Sequence, residues 1–161
     1  MYVDYQTMPD NSRLWVYQSS REFNEEELPV IEKNLINFLN HWTKHGSDLK
    51  ASFKIDYNRF VTLIVDENFN GVSGCSIDAS VHFLKEMQEA LGLDLMDKMT
   101  IAYKKDEVLQ MAKLHEFSKL AKEGVIDKET IVFNNLVQSK LEKENNWEVP
   151  ASVSWHARYF K

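Results

Sequence analysis

The stretch from Leu49 to Val65 limits the fold more than any other part of the chain. Leu49, Ala51, Phe53, Ile55 and Tyr57 alternate with Lys50, Ser52, Lys54 and Asp56. A period of two puts the first set on one face of a half-buried strand. Phe60-Val-Thr-Leu-Ile-Val65 follows and is apolar on both faces, as a central strand is. Only Asn58-Arg59 joins the two runs. A link that short permits an antiparallel hairpin, whereas parallel strands need a crossover of about a dozen residues or more. Flavodoxin-like winding is thereby disfavoured.

The flanks extend this hairpin into a pattern. Leu14-Trp-Val-Tyr-Gln18 is β-branched and aromatic enough for a strand. Asn24 and Glu27 have the spacing of a capping box, and Phe23 and Leu28 that of a hydrophobic staple. Leu28, Ile31, Leu35, Phe38, Leu39 and Trp42 then make a helical stripe, with Gly46 as its stop. Beyond the hairpin, Ser73-Gly-Cys-Ser76 opens a second helix that buries Ile77, Ser80, Val81, Leu84, Met87 and Leu91 and ends at Gly92. Met99–Tyr103 reads as the next strand. Residues 13–104 therefore give βαββαβ, the split βαβ of ferredoxin-like α+β folds, with both helices on one face of the sheet.

Residues 1–105 are expected as this domain and residues 106–161 as a β-α-β extension packed on it. In the extension Val108–Met111 is a strand, Leu114–Lys122 a helix ended by Gly124, and Thr130–Asn134 another strand. Glu142–Asn146 reads as a solvated loop. The tail alternates Val153, Trp155, Ala157 and Tyr159 against Ser154, His156 and Arg158, which predicts a final strand.

Hydrophobic residues at 43% supply a core, and a net charge of −6 argues against nonspecific binding to nucleic acid or anionic membranes. The single cysteine excludes an internal disulfide. The N-terminus lacks the basic and apolar regions of a signal peptide, and no apolar run reaches the length of about eighteen residues of a membrane helix. A cytoplasmic protein is the expectation.

Three stretches, Ser73–Phe83, Thr130–Val137 and Ser154–Phe160, together resemble a family of short uncharacterised bacterial proteins, some of which carry the label "ABC transporter ATPase". That label implies a Walker A loop. Gly71-Val-Ser-Gly74 is not followed by Lys-Ser/Thr, and no Gly-x-x-x-x-Gly-Lys occurs in the chain; ATP hydrolysis is not expected. Separately, Leu114–Gly124, Ile126, Thr130–Phe133 and Trp147–Ala151 are similar to the second half of GYF-type domains. That likeness implies proline-rich peptides as partners, although the Gly-Tyr-Phe signature is missing.

The candidate chemistry gathers at the start of the second helix. Cys75 lies where free amides and the helix dipole favour a thiolate, and the amides of Gly74, Cys75 and Ser76 can hold an anion. Asp78 and His82, four residues apart, are placed to pair with each other. His82 lies two turns from Cys75, about 10 Å by helix rise, too far to deprotonate it directly. The apolar strand before Cys75 and the buried face after it predict a packed, slowly reacting thiol. His41 and His45 have a metal-binding spacing in the last turn of a helix but no evident third ligand. His156 and Arg158 share a face of the expected terminal strand and suit an anion. Asn134-Asn135 suits a turn. Trp15, Tyr17 and Phe60 are the aromatics of an RNA-stacking sheet face, if that face is open.

The reading that results is a small-ligand or protein-binding module without a cofactor or assignable catalysis. Its ligand-binding candidates are Gly74, Cys75, Ser76, Asp78, His82, His156 and Arg158, and a small anion or a peptide is the expected partner. The alternatives are an enzyme with Cys75 as nucleophile and a binder of single-stranded RNA. Oligomeric state is left open.

Overall fold

The structure, a computed structural model, describes residues 1–161 and is of mixed α+β class. Two compact units divide it. The first comprises Met1–Asp97 with Gln138–Leu141, and the second Lys98–Val137 with Glu142–Lys161.

In the first unit, β1 (Arg13–Gln18) leads to α1 (Glu27–His41), then to β2 (Thr43–Lys44) and β3 (Ser47–Asp48). There follow β4 (Ala51–Asp56), β5 (Phe60–Val65) and α2 (Gly74–Leu91). The expected capping box closes ahead of α1. Asn24 Oδ1 accepts from the N–H groups of Glu26 and Glu27, and Glu27 Oε1 accepts from the Asn24 N–H at 2.9 Å. Arg21 grips the same carboxylate with both guanidinium nitrogens at 2.8 Å. Its hydrogen bonds, ahead of the one from Asn24, hold the Glu27 pKa down to about 2.

The sheet order is β1-β5-β4, antiparallel throughout, with Ala51 opposite Val65 and Asp56 opposite Phe60. The predicted hairpin is therefore present. Every residue of β5 is buried, as expected of a central strand. One core cluster joins Ile31, Leu35 and Leu39 of α1 and Leu84 and Met87 of α2 with Val61, Leu63 and Val65. Only alternate residues of β5 appear in it, so both helices lie on one face of the sheet.

The fourth strand of the ferredoxin-like order does not join this sheet. The outer edge of β1, where it would lie, is met by Gln138 and Ser139: Arg13 bridges Ser139, and the Leu14 N–H donates to Gln138 O at 3.1 Å. The expected strand is instead β6 (Thr100–Lys105) of the second unit. It pairs with β7 (Val108–Lys113) across the two-residue turn Asp106-Glu107, whose φ angles of 53° and 64° fit a tight hairpin. After these come α3 (Leu114–Lys122), β8 (Ile131–Phe133), α4 (Lys140–Asn146) and β9 (Glu148–Pro150), and the sheet order is β7-β6-β8-β9.

Three expectations are corrected here. Gly46 (φ 83°) does not stop α1; with His45 (φ 49°) it forms the turn of the β2–β3 hairpin. Residues 142–146 are helical and not a solvated loop, and Lys143 is buried with its ammonium 4.7 Å from the Trp147 ring centre. The tail is not a strand. Residues 151–153 and Trp155–Phe160 are 3₁₀ turns, because Ser154 Oγ caps the His156 N–H and a three-residue period brings Arg158 over the Trp155 ring at 4.9 Å. No helix is long and apolar enough to cross a membrane.

Candidate functional site

In the first unit, a cavity of about 550 Å³ lies between the end of α1, the β2–β3 hairpin and the first turns of α2. Its lining comes from Asn37, Phe38 and His41 on α1, from Trp42, Thr43, His45 and Gly46, and from Cys75, Ala79 and Phe83 on α2. Phe38 and Phe83 stack at 4.4 Å with their planes 13° apart, and Phe38 meets Trp42 at 5.3 Å. Two half-buried rings, Phe38 and Phe83, and the buried Trp42 thus wall a cavity whose polar groups are two histidines, an asparagine, a threonine and a thiol.

Hydrogen bonds fix the geometry. Ser73 Oγ caps α2 by accepting from the Ser76 N–H at 3.2 Å, and the Ile77 N–H reaches Ser73 O. Ser76 is buried. Its Oγ donates to Thr43 O at 2.8 Å, and its carbonyl accepts from Trp42 Nε1 at 2.8 Å. The start of α2 is thereby fastened to residues 42–43. His41 Nδ1 donates to Asn37 O at 2.8 Å. In the neutral ring that bond places the hydrogen on Nδ1 and leaves Nε2 as an acceptor.

The sequence candidates separate. Cys75 lines the cavity and is exposed, so its expected burial is corrected: the apolar face of α2 runs through Ser76, Ser80, Leu84 and Met87, and Cys75 sits beside that stripe. His41 and His45 line the same cavity, although His45 belongs to the hairpin turn and not to the helix. Ser76 serves as a tie and not as a ligand group. Gly74 and Asp78 are exposed and outside the lining. His82 does not pair with Asp78; its Nε2 lies 3.0 Å from Glu86 Oε1, with both side chains exposed.

In the second unit, His156 and Arg158 do not share a face. His156 is 1% exposed, with Nδ1 2.7 Å from Ser154 Oγ and its ring stacked 3.8 Å from that of Trp155. Burial, then the nearby Arg158 charge, lowers its pKa to about 4, so it is neutral at pH 7. His156, Tyr159 and Phe160 surround the fully buried Phe117. Asn134 and Asn135 form a turn, Asn135 Oδ1 accepting from Trp147 Nε1 at 2.9 Å. The three proposed stacking aromatics are divided: Trp15 and Tyr17 pack against the helix-side core, whereas Phe60 is fully buried on the opposite face.

Phe38, Trp42 and Phe83 are the site residues that the sequence did not single out. The first two lay in a helical stripe that read as core. No protein-family model, curated protein or solved structure matches the chain.

Proposed function

We propose that the protein is a binding module whose ligand is a small molecule with an apolar or aromatic body and an anionic group. The carrying observation is the aromatic-walled cavity into which α1, the β2–β3 turn and α2 bring His41, His45 and Cys75. Pockets of this size that set polar groups against apolar walls are a usual form of small-molecule site. The Phe38–Phe83 stack favours a flat body. No carboxylate lines the cavity. Two histidines and the positive end of α2 favour an acid over a base. The exposed lone thiol suits a reducing, cytoplasmic setting.

The test is NMR shift mapping with a panel of aromatic carboxylates and phosphates, repeated on two variants. Ala79→Trp fills the cavity from an exposed helix position and is expected to abolish binding with the fold retained. Gly74→Pro removes one first-turn amide at a position where proline is tolerated. Ser73 ahead of it is already extended (φ −113°, ψ 170°), as a residue before proline must be. It is expected to weaken anion binding severalfold. A ligand that binds both variants as it binds the parent would refute the proposal.

A second reading, nucleophilic chemistry at Cys75, is favoured by one observation: the thiol is exposed and shares its cavity with two histidines. Cys75→Ser separates the two, since a binding module keeps its ligand and an enzyme loses turnover.

A further inference from the structure

We propose that β7 is a self-pairing edge through which two copies of this chain associate. The two-residue turn makes Lys105 and Val108 a hydrogen-bonded pair, and the alternation of an antiparallel ladder makes Tyr103–Gln110 and Ile101–Ala112 the next such pairs. Leu109 and Met111 therefore direct their N–H and C=O groups away from β6. No group of the chain bonds them.

The outer edges of the two larger sheets are otherwise covered in part or short. Ser139 bridges Arg13 on β1, Tyr2 bridges Ala51 on β4, and β9 is three residues long and ends in Pro150. β7 has six residues, no proline, and Val108 exposed to 55%. A long unblunted edge of this kind is a template for another strand.

The occupant that fits is a second copy. Laid antiparallel to itself about Gln110, the segment sets Leu109 against Met111, the residues whose free backbone groups bond in that register. It also sets Val108 against Ala112 and Glu107 against Lys113. Apolar side chains meet apolar ones, and each acid meets a base. Both Glu107 and Lys113 are exposed. The four-stranded sheet of each copy then becomes half of one continuous sheet.

Sedimentation equilibrium from micromolar to millimolar chain concentration tests this. The mass is expected to rise from 18.9 kDa toward twice that value. Hydrogen exchange at Leu109 and Met111 is expected to slow as it does. Leu109→Pro deletes an N–H that the β6 ladder does not use, and should yield a monomer with the circular dichroism spectrum of the parent. Should that variant unfold, the surface-charge variants carry the test. Lys113→Glu is expected to weaken association at least tenfold, and Glu107→Lys combined with Lys113→Glu to restore it. A parent chain that stays monomeric, or a dimer indifferent to the charge reversal, would overturn the proposal. So would a double variant that fails to recover.

Discussion

Two serine-capped turns carry the most distinctive polar stretches of the chain, and they come to opposite ends. At Ser73 the cap starts the helix Gly74–Leu91, whose buried residues Ser76, Ser80, Leu84 and Met87 fall on one stripe. The first turn keeps a free side, and Cys75 is left at the wall of a cavity. At Ser154 the cap starts a turn of six residues, four of them aromatic or histidine, and the segment wraps Phe117. There the histidine is consumed by packing. The same local device therefore exposes chemistry or buries it, according to how much apolar surface follows the cap.

The largest effect that sharpens this contrast is expected at Phe117. Phe117→Ala removes the ring that four aromatic or histidine rings contact, and should destabilise the second unit by about 3–5 kcal/mol. Chemical denaturation would measure it. A loss of less than about 1 kcal/mol would mean that the tail does not form a core.

Next comes pH. His156 titrates at about 4 in the folded chain against about 6.5 when unfolded, so the unfolded state binds more protons between those values. Its contribution is fully present above pH 6.5 and is lost as pH falls toward 4, by about 2–3 kcal/mol. In His156→Gln that slope in stability against pH should flatten. A slope that persists in the variant would erase the distinction between the turns.

A smaller loss, about 1–2 kcal/mol, is expected for Ser76→Ala, which leaves Thr43 O without its donor. The smallest stability effect is at His82. Its exposed pair with Glu86 predicts a change within about 0.5 kcal/mol for His82→Ala. With the fold native in every case, iodoacetamide should label Cys75 without denaturant. Labelling only after denaturation would place the thiol in packing, as at the tail, and end the contrast.

What the sequence disclosed follows the physics of each segment. Alternation from Leu49 to Tyr57 and the short link after it have few other solutions, and the antiparallel hairpin is present, although Asp56 faces Phe60 and the turn therefore takes three residues, Tyr57 to Arg59, where the sequence suggested two. The α2 boundaries were legible because Ser73 and Gly92 are strong signals, and Gly92 does take the left-handed conformation at φ 66°. The β2–β3 hairpin was not, since two-residue strands have no period to detect. Met99–Tyr103 was recognised as a strand, but its partner was not. Which edge it joins depends on Gln138 and Ser139, far along the chain. At the tail, apolar alternation imitated a strand while a 3₁₀ turn buried the same rings. For the site, Cys75 stood out by its position, whereas Phe38 and Trp42 were hidden in a stripe that also serves the core.

The discontinuity of the first unit has a consequence for vectorial synthesis. Its last residues, Gln138–Leu141, follow forty residues of the other unit, from 98 to 137. Lys140 then seats its ammonium on Met8 O at 2.8 Å, and Gln138 takes the edge of β1. Translation at about 5–20 residues per second leaves that edge and that carbonyl waiting for about 2–8 s. During this interval the nascent chain presents an open strand to its neighbours on a polysome. Slow codons between 98 and 137 would lengthen the exposure, and faster passage through them would shorten it.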